Sequence, residues 1–130
     1  VFVDAPFSSR GGHDFEQTRR EYEAEASART ADRLASRPEF TVQDVEVEAR
    51  AAEQFDAATA AAIAAGPGGE WWPPARSLVI CAEPSDYVTP DVADELSGRG
   101  VEVVSIAGAK HAVWRTHFEA FWAALRPPQS

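Results

Sequence analysis

Residues 77–90 read Ser-Leu-Val-Ile-Cys-Ala-Glu-Pro-Ser-Asp-Tyr-Val-Thr-Pro, and their order decides the fold. Ser77 to Ala82 is rich in β-formers, and polar turn residues follow it, the pattern of a strand leaving a sheet. Thr89 then caps a helix that has Pro90 at its first position and runs to Ser97. Gly98 and Gly100 end it, and Val101 to Ile106 is a second strand. Farther on, Phe118, Phe121, Trp122 and Leu125 fall at i, i+3, i+4 and i+7, one apolar helix face able to cover a sheet. Strand alternating with helix predicts an α/β fold with a parallel sheet and two right-handed crossover units.

Upstream, Val1 to Val3 reads as the last residues of a buried strand, leaving its sheet at Asp4-Ala5-Pro6. Ser8 to Gly12 reads as a loop. From about Asp14 to Ala35 the composition turns to Glu, Arg, Ala and Gln with sparse apolar anchors at Phe15, Tyr22 and Leu34, which predicts one mostly exposed helix closed by Pro38. Thr41 and Asp44 have the spacing of a capping box and open a second helix through Val42, Val45, Phe55 and Ile63. Gly66-Pro67-Gly68-Gly69 stops that helix.

The bulk properties narrow the function. At 130 residues the chain fits one domain, and it opens on Val-Phe-Val with no methionine, so it reads as a piece of something longer. A net charge of −9 disfavours binding to nucleic acid or to anionic lipid. The acids at Glu16, Glu21, Glu23 and Glu25, and at Asp44, Glu46 and Glu48, read as wet helix faces. Cys81 is the single cysteine and lies in an apolar run, which excludes a disulfide framework or thiolate cluster and fits a reduced, cytoplasmic setting. No apolar stretch approaches the ~20 residues of a membrane helix, and the opening residues carry no signal-peptide pattern.

In an open parallel sheet, chemistry collects at the carboxyl ends of the strands. Two such ends carry reactive groups here: Glu83-Pro84-Ser85-Asp86-Tyr87-Val88-Thr89-Pro90, and Gly108-Ala109-Lys110-His111-Ala112-Val113. An imidazole takes and returns a proton near neutrality, and a partly buried carboxylate fixes its tautomer and stabilises the imidazolium. A loop histidine is more often structural, and an aspartate before Thr89-Pro90 is often a turn residue. The ordered acid loop, strand, glycine, histidine and helix favour the catalytic reading of both. Three histidines can bind zinc when clustered, but His13, His111 and His117 have no metal-site spacing. Cys81 in mid-strand reads as a small core hydrophobe rather than a nucleophile.

From about Arg76 to Leu125 this order resembles the C-terminal part of the α/β-hydrolase family: strand, G-E-x-x-D-x-x-x-P, helix, strand, G-x-x-H, amphipathic helix. Ala82 stands where the family often has glycine. The resemblance implies residues 1–7 and 75–130 as the C-terminal part of the hydrolase core and 8–74 as an inserted helical cap. It implies Asp86 as the acid that orients His111, with Glu83 in reserve, and His111 as general base for a nucleophile on a sharp strand-to-helix turn. Trp71 and Trp72 would pack between cap and sheet or line the substrate pocket, with Phe7 and Val113 as further substrate contacts.

No Gly-x-Ser-x-Gly turn occurs: Gly66 to Gly69 lacks a nucleophile, and Ser105 lies within a strand. The resemblance places the nucleophile upstream of Val1, on an N-terminal half that is the expected partner, since an isolated half would expose sheet edge and face. The expected function is hydrolysis of an ester, lactone, thioester or similar small-molecule bond, without metal or organic cofactor. An epoxide or carbon–halogen substrate would instead require an aspartate nucleophile. The alternative is a non-hydrolytic descendant of the fold that binds a small ligand or a partner.

Overall fold

The computed structural model describes residues 1–125. The chain is mixed α/β and divides into two units, one made of Val1–Phe7 with the chain from Glu70 onward, the other of Ser8–Gly69. The division falls at Glu70 rather than after Pro74. Trp71 belongs with the first unit because its amide donates to the Phe7 carbonyl at 3.0 Å and its ring packs on Phe2 and Phe7.

The first unit is built on a parallel three-stranded sheet of β1 (Phe2–Val3), β4 (Leu78–Glu83) and β5 (Glu102–Ala107), in the order β1-β4-β5. Phe2 and Val3 lie opposite Val79 and Ile80, and β4 runs in register with β5 from Leu78–Glu102 to Glu83–Ala107. Val79, Ile80, Cys81 and Ala82 are all buried, as a strand covered on both faces requires. Alternate residues feed two cores. Val79 and Cys81 join Phe7, Val88, Leu96 and Val101 on one side, and Ile80 and Ala82 join Ile106, Ala109 and Val113 on the other.

Helix α5 (Pro90–Gly98) is capped by Thr89 at its start, and Gly100, just beyond the Arg99 C-cap, has a φ of +76° that suits glycine. Its Leu96 is fully buried. Leu96→Ala should therefore lower unfolding stability by about 2–5 kcal/mol, the usual cost of a core cavity, read as an earlier midpoint in urea. On the opposite core, α6 (Val113–Thr116) and α7 (Phe118–Leu125) follow β5. Only part of the expected apolar face of α7 is used. Phe121 and Leu125 pack against the core, whereas Phe118 and Trp122 stay exposed and stack on each other at 6.2 Å. They flank the buried stripe, and the small sheet does not extend to cover them.

In the second unit, the two long helices expected from composition are four. The first breaks into α1 (Phe15–Ala28) and α2 (Ala31–Ala35). The Arg29 amide reaches back to Ala26, and Thr30 takes the extended conformation of a new N-cap. The next is α3 (Val42–Glu53), opened by a true capping box: the Asp44 amide donates to Thr41 Oγ1 at 3.2 Å and the Thr41 amide to Asp44 Oδ2 at 2.9 Å. It stops at Gln54, because Asp56 starts α4 (Ala57–Ala65) by accepting from the amides of Ala58 and Thr59 and from the Thr59 hydroxyl. Those hydrogen bonds, the Thr59 hydroxyl first, hold the Asp56 carboxyl below its ordinary range.

Nor is Ser8 to Gly12 simply a loop. β2 (Ser8–Gly11) pairs with β3 (Pro67–Glu70). A Cβ on Gly68 would lie 2.2 Å from the Arg10 carbonyl oxygen, so the pairing demands glycine there. Strand propensity misses such a ladder because its residues are chosen for close backbone approach. Among the described residues, no helix is long and apolar enough to cross a membrane.

Candidate active site

All three parallel strands deliver polar groups at their carboxyl ends. Asp4 leaves β1, the segment from Pro84 to Val88 leaves β4, and Gly108 to His111 leaves β5. The backbone holds these exits in place. The Asp4 amide donates to the Ile80 carbonyl at 2.8 Å, and the Gly108 amide to the Glu83 carbonyl at 2.9 Å. Gly108, at φ +77°, turns the chain back toward the neighbouring strand end.

Asp4 is the centre of the arrangement. It is 1% exposed, and its φ of +41° is a conformation that a non-glycine residue adopts at a cost. Oδ1 accepts the Ala82 amide at 3.2 Å and the Ser85 hydroxyl at 2.6 Å, and Oδ2 meets His111 Nδ1 at 2.9 Å. The two carboxylate oxygens thus meet three polar partners. When the proton of the neutral imidazole is on Nδ1 it donates to Asp4 Oδ2, and the Nε2 lone pair is then left free on the far side of the ring. The His111 side chain is 61% exposed, so that nitrogen is open to a reactant. Tyr87 leans on the imidazole with ring centres 4.9 Å apart.

An open concavity of about 370 Å³ surrounds the pair, lined by Asp4, Pro84, Asp86, Tyr87, Ala109, Lys110 and His111. A second hollow, among Tyr22, Ala26, Arg29, Ala52 and Phe55 of the helical unit, holds no comparable acid–base pair.

His111 thus meets a carboxylate other than the one expected. Asp86 is exposed at the rim of the concavity and makes no hydrogen bond to His111, and Glu83 is also exposed. The reason is topological: β1 lies beside β4, so Asp4, directly after β1, meets the loop that leaves β4 through Ser85, whereas Asp86 of that loop is exposed. Asp86→Asn should change the turnover of any substrate processed at His111 by no more than a few-fold. A loss on the order of 10³ or more in steady-state kinetics would return Asp86 to the role of acid.

The aromatic residues expected around substrate lie elsewhere. Phe7 is buried in the core on the α5 side, Trp72 stacks on it at 6.3 Å, and Arg99 lies over Trp72 at 4.3 Å. Trp71 is half-exposed beside Phe2 and Phe7. Val113 is fully buried in the opposite core. None of the four lines the His111 concavity.

Cys81 is 1% exposed, and burial pushes its thiol pKa up, which suppresses the nucleophilic thiolate. Among the described residues, no group of three His, Cys, Asp or Glu side chains is arranged to hold a metal. The ring of His117 packs near Gly108, with Nδ1 buried and without a hydrogen bond.

Sequence reasoning passed over Asp4 as an ordinary strand end. The available signal was a carboxylate directly after an apolar run, at the edge of a parallel sheet where sites collect. Comparison with protein-family models, with curated protein sequences and with solved structures gives no match.

Proposed function

We propose that Asp4 and His111 are the acid and base of a nucleophilic hydrolase. In this reading, residues 1–7 and 70–125 form the C-terminal part of an α/β-hydrolase-like sheet, and Ser8–Gly69 has the chain position of an inserted cap. The observation that carries it is the 2.9 Å contact between buried Asp4 Oδ2 and His111 Nδ1 at the carboxyl edge of a parallel sheet. His111 Nε2 takes the proton of an attacking hydroxyl or thiol, and Asp4 stabilises the resulting imidazolium. The same proton then goes to the leaving group, and water repeats the cycle on the acyl-enzyme.

Among the described residues, the seven around the concavity include no serine, threonine or cysteine. The nearby Ser85 hydroxyl bonds the acid rather than the base. The nucleophile is accordingly assigned to a segment or chain outside these 130 residues, the N-terminal half of the same fold. Ester, lactone and thioester bonds of small molecules are the substrates this machinery suits. The lack of a local nucleophile also favours a second reading, a binding protein that retains the pair without turnover.

Intact-mass spectrometry of the native particle, with turnover of a chromogenic acyl ester, separates the two. A co-purifying polypeptide with a Gly-x-Ser-x-Gly turn, together with hydrolysis that disappears in His111→Gln, is the expected result. This chain alone, monodisperse and inert toward esters, would overturn the hydrolase reading in favour of binding.

A further inference from the structure

We infer that Ser85 is a positioning residue of the site, fixing the tautomer of His111 through Asp4; the inference rests on the acid–base reading of that pair. The Ser85 hydroxyl is within reach of three groups: Asp4 Oδ1 at 2.6 Å, the Val88 amide at 2.9 Å and the Tyr87 amide at 3.1 Å. Both amides are obligate donors, so they occupy the two lone pairs of Oγ. Its single proton then has one destination, the Asp4 carboxylate.

This fixes how Asp4 uses its two oxygens. Oδ1 is filled by the Ser85 hydroxyl and the Ala82 amide, which leaves Oδ2 to receive the Nδ1 proton of His111. Hydrogen bonds to a charged acceptor are the stronger kind. The one from Ser85 holds the carboxylate in the orientation that keeps His111 in the Nδ1–H form and exposes the Nε2 lone pair. The same hydroxyl also folds the loop beyond β4, since the amides it accepts belong to the residue whose ring rests on His111 and to Val88, a member of the core. Ser85 therefore ties the carboxylate under the imidazole to the tyrosine beside it.

The test is nitrogen-15 NMR of the histidine side chains in the full chain, at a pH where His111 is neutral. In the unmodified protein His111 is expected as the Nδ1–H tautomer, and the Ser85 hydroxyl proton should exchange slowly enough to be seen. Ser85→Ala should shift the tautomer ratio roughly tenfold toward Nε2–H, the scale of one charge-assisted hydrogen bond, and Ser85→Thr should restore it. Asp4→Asn is the control for the pair itself.

If Asp4→Asn changes the tautomer and Ser85→Ala, still folded by its amide spectrum, does not, the inference falls while the acid–base pair stands. If neither changes it, the pair falls too. Should Ser85→Ala fail to fold, the unmodified protein decides: a Ser85 hydroxyl proton in fast exchange with water would overturn the proposal.

Discussion

Asp4→Asn is expected to lower kcat for ester hydrolysis by about 10⁴-fold, with KM little changed, the magnitude seen when a triad acid becomes an amide. The surroundings of Asp4 explain why the loss is so large. Ala82 and Ser85 both donate to Oδ1, so the amide oxygen of asparagine takes that position and its NH₂ group is left facing His111. A donor there forces Nδ1 to accept, moves the imidazole proton to Nε2 and removes the lone pair needed for general-base catalysis. Steady-state kinetics of the native particle, alongside circular dichroism to show that the fold is retained, measure the effect. A kcat within tenfold of the parent would remove Asp4 from the acid role.

His111→Gln should cost at least as much, about 10⁴- to 10⁶-fold in kcat, because no other imidazole is placed to accept the proton. Among the described residues, His13 and His117 lie outside the concavity that contains His111. His117→Gln is the matched control and should leave kcat within a few-fold. If His111→Gln and His117→Gln lowered turnover equally, or if neither did, His111 would not be the base.

The parts of this architecture that follow a strong local rule were legible from sequence. The strand read at Ser77–Ala82 appears one residue on, at Leu78–Glu83, and the Thr89-Pro90 helix start and the Thr41–Asp44 box appear as their spacing predicts. The helix interruptions were less visible, because Arg29-Thr30 and Gln54 to Asp56 interrupt compositions that remain helix-forming, and a cap such as Asp56 looks like any other surface acid. The glycine ladder of β2 and β3 was hidden by the same propensities that make glycine a helix stop.

The place of His111, on the loop after β5, was readable because Gly108, His111 and the helices beyond them follow one another in the chain. Its carboxylate was not, because Asp4 reaches His111 only through the pairing of β1 with β4, which no local pattern reports. The aromatic residues were assigned to substrate by type, whereas Phe7 and Trp72 are spent on packing where the chain re-enters the first unit.

Asp4 and His111 stand 107 positions apart, and the whole of Ser8–Gly69 intervenes. Bringing such distant groups together carries the entropy of closing a long loop, which contacts between distant strands must recover before the pair can form. The helices and their caps can order early, from neighbours in sequence. The Asp4–His111 contact then forms only when β1 has found β4. A refolding chain should regain helical signal before it regains the His111 tautomer, and ligand binding at the concavity would stabilise the pairing of β1 and β5 with β4 rather than any single element.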